Sequence, residues 1–158
     1  MLRGKKILIV DDEPDVLGSL KEILDMCAID TAPDFIKAKE LLSKNTYDAA
    51  ILDIMGVGGY ELLEITTRKD IPTVMLTAHA LSPDNFVKSI KRGACAYVPK
   101  DKMSEIISFL QDILRPQKKG IKKIGKWFTR LEAFFEEKFG PDWKEKTDPE
   151  FWKKNYYV

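Results

Sequence analysis

Five short apolar runs alternate with five segments of helical periodicity, and this alternation constrains the fold more than any other feature of the sequence. The runs are mostly continuous apolar stretches, at 7–10, 28–32, 49–53, 73–77 and 96–98. Continuous apolar runs are typical of strands that are buried on both faces of a parallel sheet. Helix-period segments follow the runs, at 14–26, 34–44, 59–67, 82–91 and 103–114. The sequence therefore predicts a doubly wound α/β domain, with five parallel strands and helices on both faces of the sheet.

Proline residues mark two boundaries of this domain. Ser82 and Pro83 are typical of an N-cap and a first helical position, so we expect the fourth helix to begin there. Pro116 ends the fifth helix, and the predicted α/β domain therefore spans residues 1–115. Residues 116–158 form a helical C-terminal extension. A chain of 158 residues is long enough for one such domain and an appendage of this size.

Charge and cysteine content argue against several partners. The formal net charge of +1 divides into −3 for residues 1–115 (15 Lys/Arg, 18 Asp/Glu) and +4 for residues 116–158 (11 and 7). Neither part is basic enough to predict nucleic-acid binding by itself. The apolar run at 7–10 is too short for a signal peptide, and no stretch reaches membrane-spanning length. Two cysteines without metal-ligand spacing indicate free thiols, so we expect a cytoplasmic protein that does not bind membranes.

Charged and hydroxyl side chains stand where the predicted strands end. The carboxyl ends of parallel strands meet at one edge of a sheet, where such folds bind ligands. Three carboxylates, one hydroxyl and one ammonium group are expected to converge at this edge. They belong to Asp11 and Asp12 after the first strand, Asp53 at the end of the third, Thr77 at the end of the fourth, and Lys100 just past the fifth.

Each of these residues also has an ordinary structural explanation. Asp12, Glu13 or Asp53 could cap a helix, Thr77 could be a strand residue, and Lys100 could be a solvated charge. The whole set favours a functional site, because crowded carboxylates repel one another and are kept together mainly for a cation or for chemistry. Oxygen ligands with room for water favour Mg²⁺ over Ca²⁺ or Zn²⁺. A carboxylate beside Mg²⁺ and a lysine can act as a nucleophile towards phosphorus.

A glycine-rich turn follows the third strand in the stretch "LDIMGVGGYELLE", residues 52–64. Gly56, Gly58 and Gly59 leave little side-chain bulk beside Asp53. We expect that backbone N–H groups and solvent can approach this position. The sequence therefore predicts that Asp53 is exposed, so that a bulky donor can reach it.

Four motifs, in this order, resemble the receiver domain of two-component response regulators over residues 5 to 115. They are "ILIVDDE", "AAILDIM", "PTVMLTA" and "GACAYVPK". The resemblance implies a flavodoxin-like sheet with strand order 2-1-3-4-5. It also implies a phosphorylation-dependent signalling switch that transfers a phosphoryl group to itself and is not a conventional enzyme. The implied partner is a sensor histidine kinase or a phosphotransfer protein, and the implied cofactor is Mg²⁺.

The resemblance further implies roles for individual residues. Asp53 is similar to the phosphoacceptor of the family. Asp11 and Asp12 resemble the acidic pair that holds Mg²⁺, with Asp53 and the backbone carbonyl of Met55 as further ligands. Thr77 resembles the switch hydroxyl that binds a phosphoryl oxygen.

Two further residues match the pattern of the family, and the sequence departs from that pattern in two places, the loop after Asp53 and the position after Lys100. Lys100 resembles the ammonium group that pairs with the phosphoryl group, and Tyr97 resembles the aromatic switch that turns inward on activation. Val57 stands where the family usually has proline, and Gly59 matches the usual glycine only if two residues are missing from the loop. Asp101 replaces the common proline after the lysine. Neither departure removes a reacting group.

The extension carries an aromatic stripe. Gly140 and Pro141 end one predicted helix, and Asp148 with Pro149 predicts the start of another. The first of these helices covers 118–139, and its apolar side chains recur every three or four positions: Ile121, Ile124, Phe128, Leu131, Phe135 and Phe139.

We expect this stripe to pack on the α/β domain or on a second copy of the chain. A homodimer could form through the extension or through the face of the fourth and fifth helices. The second most favoured partner of the stripe is another protein. A membrane surface ranks third, because glutamates dilute the positive charge, and DNA ranks last, because the extension is too short for a DNA-binding unit.

Two other functions remain open from the sequence. Haloacid-dehalogenase-like phosphatases also combine a nucleophilic aspartate with threonine, lysine, acidic residues and Mg²⁺. They place the nucleophile after the first strand, whereas Asp53 follows the third. The other alternative is an interaction module that works without phosphate, and the complete set of reacting groups argues against it.

Overall fold

The computed structural model describes residues 2–115 and 124–156, and a five-stranded parallel sheet forms its centre. The strands are β1 (Lys6–Val10), β2 (Ala28–Ala32), β3 (Ala49–Asp53), β4 (Thr73–Thr77) and β5 (Ala96–Pro99). Their order across the sheet is β2-β1-β3-β4-β5, which confirms the predicted fold class and strand order. Every residue of β3, β4 and β5 is buried, as expected for strands that helices cover on both faces.

Five helices follow the strands in turn. They are α1 (Pro14–Ile23), α2 (Phe35–Lys44), α3 (Gly59–Arg68), α4 (Pro83–Lys91) and α5 (Ile106–Leu114). The predicted start of α4 is confirmed. The Oγ atom of Ser82 accepts a hydrogen bond from the backbone N–H of Asn85 at 3.1 Å, and Pro83 occupies the first turn.

Two of these helices have other limits than the sequence predicts. α1 ends at Ile23, and the chain then turns back towards the segment before β1, where the backbone N–H of Gly4 donates to the carbonyl of Met26 at 2.9 Å. The segment after β5 begins with a 3-10 helix, Lys100–Glu105, and becomes α-helical only at Ile106. This tighter turn starts directly at the end of β5.

Three helices form the described part of the extension, residues 124–156, which we call the tail. They are α6 (Lys126–Phe139), α7 (Trp143–Lys146) and α8 (Pro149–Asn155). The prediction of a helix from residue 118 is wrong for residues 124 and 125, because Gly125 has an extended backbone (φ −103°, ψ −152°). The predicted positions 118–123, with Ile121, lie outside the described residues. Asp148 caps α8 as predicted, accepting a hydrogen bond from the N–H of Phe151 at 3.1 Å.

Phe86 of α4 is the centre of an aromatic cluster that joins the tail to the α/β domain. The side chain of Phe86 is completely buried. Its ring centroid lies 5.3 Å from that of Tyr97 in β5. Five tail rings have centroids between 5.3 and 5.8 Å from that of Phe86: Trp127, Phe128, Phe135, Trp143 and Trp152. The tail therefore packs on the α4–β5 face of its own chain, which is one of the packings predicted for the aromatic stripe.

Two ion pairs connect the rim of this aromatic cluster to the α/β domain. The Nε atom of Arg130 in α6 lies 2.9 Å from an Oδ atom of Asp112 in α5, whose side chain is 4% exposed. Lys91 at the end of α4 pairs with Asp148 at the start of α8. Since each pair joins the tail to a different helix, the two pairs fix the orientation of the tail on the domain.

The position of Phe86 makes stability sensitive to this side chain. Replacement Phe86→Ala should lower the free energy of unfolding by about 3–5 kcal/mol, because it leaves a cavity between α4 and the tail. Urea denaturation of the full chain measures this change. The control is Phe134→Ala, which removes a ring that is only partly buried in α6. Equal losses in the two variants would contradict the central place of Phe86.

Candidate functional site

The carboxyl ends of the strands bring the predicted site residues to one edge of the sheet. β3, β4 and β5 are neighbours there, and β1 lies on the other side of β3. The side chains at this edge belong to Asp11 and Asp12 directly after β1, Asp53 as the last residue of β3, Thr77 as the last residue of β4, and Lys100 directly after β5. The fold therefore places all five predicted residues at the same edge of the sheet.

Lys100 is bound to several carboxylates. Its Nζ atom lies 2.9 Å from Asp11, 2.9 Å from Glu13 and 3.6 Å from Asp53. Its side chain is only 9% exposed. Burial alone would lower the pKa of the ammonium group, but the hydrogen bonds to Glu13 and Asp11 outweigh burial and raise the pKa. Lys100 therefore stays charged and holds the acidic side chains together.

Asp11 is 1% exposed and lies under this ammonium group. Its Oδ1 atom accepts a hydrogen bond from the backbone N–H of Glu13 at 2.9 Å. Its Oδ2 atom lies 2.9 Å from Nζ of Lys100 and has no other partner among the described residues. Burial raises the pKa of Asp11, against the opposing effects of the N–H of Glu13 and of Lys100. A buried carboxylate oxygen with an incomplete set of partners can accept a cation.

Glu13 is a site residue, although its position in the sequence predicts only a helix cap. Its side chain caps nothing in α1, although Glu13 occupies the N-cap position. Instead its carboxylate accepts a hydrogen bond from Lys100, which lowers the pKa of Glu13. Carboxylate oxygens of Asp11, Asp12 and Glu13 all lie within 4.8 Å of one another. In the sequence, the feature that could have identified Glu13 as a site residue is its place as the third acidic residue of the "DDE" run.

Asp53 is 4% exposed, and its electrostatic environment disfavours the charged form. Burial contributes most and the negative charge of Asp11 comes next. Lys100 opposes them, and Asp12 adds a smaller effect of the same sign as Asp11. Together these effects raise the pKa of Asp53 from 3.8 to about 6. A divalent cation beside these carboxylates would relieve their repulsion.

The prediction of an exposed Asp53 is therefore wrong, and the glycines after it have another role. A Cβ atom at Gly59 would collide with the backbone carbonyl of Asp53. Gly56 has a φ of +85°, and a Cβ atom there would collide with the carboxylate of Asp12. The glycines thus allow the loop to pack closely over the acidic side chains. Sequence alone could not show this, because small residues suit an open approach and a tight one equally well.

Thr77 and Tyr97 are joined through the loop between β4 and α4. The Oγ1 atom of Thr77 accepts a hydrogen bond from the backbone N–H of Ala80 at 3.0 Å. The hydroxyl group of Tyr97 donates to the carbonyl of Ala80 at 2.7 Å and accepts from the N–H of Ser82 at 3.1 Å. Both Thr77 and Tyr97 are completely buried. Tyr97 therefore already has the inward position that the sequence analysis expects after activation.

Two exposed apolar side chains, which we call the apolar rim, belong to the edge of the sheet that carries the acidic side chains. Ile36 and Met55 are the exposed large apolar side chains of the described residues, at 79% and 53%. Met55 follows Asp53 by two positions, and Ile36 lies in the first turn of α2, after β2. A Cβ atom at Gly58 would be 3.1 Å from the ring of Phe35, so the start of α2 contacts the loop that carries Met55. Both exposed side chains thus belong to the same edge of the sheet.

The sequence profile described as "Response regulator receiver domain" matches residues 7–111. The chain belongs to the response regulator receiver family. Receiver domains are signalling switches and in general are not conventional enzymes. Response regulators generally interact with histidine kinases or phosphotransfer proteins. The division of the chain at residue 115 and the roles of the individual site residues stay predictions.

Among curated proteins, the chain is similar to two-component response regulators of Arabidopsis thaliana. It is 37% identical to ARR18 over 103 residues, which cover 61% of this chain and 16% of that protein. It is 33% identical to ARR10 over 123 residues, which cover 73% of this chain and 22% of that protein. The chain thus spans less than a quarter of the length of either relative.

Solved receiver structures share the fold. A CheY-like response regulator receiver domain protein from Methanospirillum hungatei is 29% identical, with a TM-score of 0.64, and the match covers 70% of this chain and 94% of that one. The non-phosphorylated HemR receiver domain from Leptospira biflexa is 27% identical, with a TM-score of 0.62, and the match covers 72% and 99%. Neither match extends over the whole of this chain.

Two other sequence predictions can be compared with the structure. Cys27 and Cys95 are free thiols, as expected from their spacing. Within residues 2–115 and 124–156, no helix combines the length and the apolar character that crossing a membrane requires.

The raised pKa of Asp53 predicts a pH-dependent gain in stability from Asp53→Asn. A carboxyl group whose pKa is higher in the folded state stabilises the fold most below its unfolded pKa, near 3.8, and this contribution is lost as the pH rises through about 6. Without Mg²⁺ at pH 7, Asp53→Asn should therefore raise the free energy of unfolding by up to about 3 kcal/mol. The gain should disappear below about pH 4. Urea denaturation across this pH range, with the exposed Asp25→Asn as control, measures it; a pH-independent difference would contradict the argument.

Proposed function

We propose that the chain is a phosphorylation-dependent switch whose phosphoacceptor is Asp53. The observation that carries this proposal is the buried carboxylate of Asp53, 3.6 Å from the ammonium group of Lys100 and next to a cluster of three further carboxylates. An oxygen of Asp53 attacks phosphorus and forms an O–P bond. The bond from phosphorus to the leaving group breaks at the same time, and that group is a histidine nitrogen in a protein donor or an acetate oxygen in acetyl phosphate.

The residues present fit a divalent cation of the Mg²⁺ type. The ligands would be Asp11, Asp12 and Asp53 with the backbone carbonyl of Met55, and all of these offer oxygen. The incompletely bonded Oδ2 atom of Asp11 supports this assignment. When bound, Mg²⁺ supplies positive charge that offsets the charge of the incoming phosphoryl group. Glu13 stays on Lys100 and holds the ammonium group beside the reacting carboxylate.

Lys100 and Thr77 would receive the phosphoryl oxygens. Lys100 offers a charged donor that is already within 3.6 Å of the acceptor carboxylate. Thr77 uses its oxygen to accept from Ala80, so its hydroxyl hydrogen is available to a phosphoryl oxygen. These two side chains bind the product, and neither forms a covalent bond in the transfer.

The alternatives receive less support. A haloacid-dehalogenase-like phosphatase would carry its nucleophile after β1, where Asp11 is also buried beside Lys100, whereas the proposed acceptor Asp53 is the last residue of β3. Membership of the receiver family agrees with the second arrangement. An interaction module without phosphate would have no need to hold carboxylates whose burial and mutual repulsion raise the pKa of Asp53.

The apolar rim supports a protein as phosphoryl donor, a sensor histidine kinase or a phosphotransfer protein. Asp53 is nearly buried, so a donor histidine must approach across the edge of the sheet. Ile36 and Met55 offer exposed apolar contacts at that edge. Apolar side chains that are exposed beside a reactive group mark an interaction surface more often than isolated ones do. A small donor such as acetyl phosphate does not need these contacts.

Phosphorylation of Asp53 is directly testable. Incubation with acetyl phosphate and Mg²⁺ should add one phosphoryl group to the full chain, as measured by intact mass spectrometry. Asp53→Asn should abolish the addition, and the exposed Asp25→Asn should retain it. Asp12→Ala should weaken Mg²⁺ binding in calorimetric titration, because it removes a ligand oxygen. Unchanged labelling of Asp53→Asn would refute the proposed acceptor.

The apolar rim predicts a difference between donors. Ile36→Gln should slow phosphoryl transfer from a radiolabelled histidine-phosphotransfer protein that labels the wild-type chain, by about fivefold or more, because it removes an apolar contact. Labelling by acetyl phosphate should not change. The surface control is Lys69→Gln. Lys69 follows the C-terminal end of α3, whereas the loop that carries Met55 precedes the N-terminal end of that helix. Equal rates for Ile36→Gln and wild type with the protein donor would exclude Ile36 from the donor surface.

A further inference from the structure

A continuous set of contacts runs from Thr77, at the edge of the sheet that carries the acidic side chains, to the tail. It begins at Thr77, whose Oγ1 atom accepts from the N–H of Ala80 at 3.0 Å. It continues from the carbonyl of Ala80, which accepts from the hydroxyl group of Tyr97 at 2.7 Å. The ring of Tyr97 then contacts Phe86 of α4 and Phe135 of α6, with centroid distances of 5.3 and 6.0 Å.

These contacts enclose Tyr97 from two sides. The loop between β4 and α4 binds its hydroxyl group, through Ala80 and Ser82. The tail covers the ring through Phe135, and the side chain has no exposed surface. An outward position of the Tyr97 side chain would leave Phe135 without this partner. The docked tail and the buried Tyr97 therefore stabilise each other.

We infer that the tail is an intramolecular ligand of the α4–β5 face that binds the Tyr97-inward conformation and thereby favours phosphorylation of Asp53. This inference rests on the proposed function of Asp53. It adds the sign of the coupling, since docking of the tail and phosphorylation promote each other. The opposite sign would make the tail an inhibitor that phosphorylation releases.

The hydrogen bonds determine the sign. Thr77 can donate its hydroxyl hydrogen to a phosphoryl oxygen while it keeps the bond from Ala80, because a hydroxyl group donates and accepts at once. Donation to an anionic oxygen makes the hydroxyl oxygen a better acceptor, so the bond from Ala80 becomes stronger. The loop is then held in the geometry that binds Tyr97, and the buried ring of Tyr97 is the surface on which Phe135 packs.

Linkage makes this coupling reciprocal. A ligand that binds one conformation better shifts the equilibrium towards it by its differential affinity. If phosphorylation strengthens docking of the tail, docking must strengthen binding of a phosphoryl group or its mimic by the same factor. Weakening the tail contact should therefore weaken the response at Asp53, although no tail residue touches the acidic side chains in the described contacts.

The interface is suited to reversible docking. The indole N–H groups of Trp127, Trp143 and Trp152 are buried without a hydrogen-bond partner among the described residues. Burying a donor without an acceptor opposes docking, whereas the aromatic contacts and the pairs Arg130–Asp112 and Lys91–Asp148 favour it. Because these contributions oppose each other, a change at Tyr97 can shift the equilibrium between the docked and the undocked tail.

Hydrogen exchange tests the sign in the full chain. Beryllofluoride with Mg²⁺, a mimic of the phosphoryl group, should slow amide exchange in α6 and α8. Arg130→Gln removes the ion pair to Asp112 and should weaken beryllofluoride binding by about fivefold or more. Lys126→Gln, which removes the same charge from an exposed position of α6, should leave that affinity unchanged.

Tyr97→Phe tests the route, because it keeps the ring in the cluster and removes the hydroxyl group. This variant should still be phosphorylated at Asp53, while exchange in α6 no longer responds to beryllofluoride. Faster exchange of α6 in activated wild-type protein, or unchanged exchange, would overturn the inference. A full response in Tyr97→Phe would overturn the route through its hydroxyl group. Failure of acetyl phosphate to label Asp53 is a separate result, since it would refute the proposed function itself.

Discussion

The ammonium group of Lys100 is the interaction on which the rest of the acidic edge depends. It lies within 2.9 Å of Asp11 and Glu13 and within 3.6 Å of Asp53. Burial of carboxylates is unfavourable unless they are paired, and removal of one partner of a buried pair leaves a charge without compensation. The pairing exists because the order of the strands puts the end of β5 at the same edge as the ends of β1 and β3. The 3-10 turn that starts at Lys100 keeps its side chain beside that edge.

This single cation leaves the carboxylates only partly compensated. Asp53 keeps a pKa of about 6, because burial and the charge of Asp11 outweigh the attraction of Lys100. Gly56 and Gly59 let the loop after β3 approach the carboxylate of Asp12 and the backbone carbonyl of Asp53 closely. Such an arrangement lowers stability at neutral pH and at the same time favours a divalent cation and an electrophilic phosphorus. The same burial and repulsion of carboxylates thus lower the stability of the edge without a cation and support its proposed chemistry.

β5 connects this edge with the tail. Tyr97 lies within the strand and Lys100 directly follows it, so a displacement at the end of β5 affects both residues. Phe86 and Tyr97 form the surface that the tail covers. While the tail occupies the α4–β5 face, a second copy of the chain cannot bind the same surface. A homodimer through that face therefore requires the tail to leave, whereas signalling through the docked tail does not.

The sequence by itself determined the α/β class and the place of the reacting groups, because continuous apolar runs, helix caps and residues at strand ends depend on local patterns. The strand order followed only from the resemblance to the receiver family. It did not determine what surrounds those groups. The pairing of Glu13 with Lys100 joins residues 87 positions apart. The burial of Asp53 was not evident either, because the glycines after it suit an open loop and a closed one equally. The aromatic stripe predicted an apolar partner, and only the packing of α6 and α8 on Phe86 identified that partner. Such a stripe indicates that a surface is buried, but it does not indicate which surface covers it.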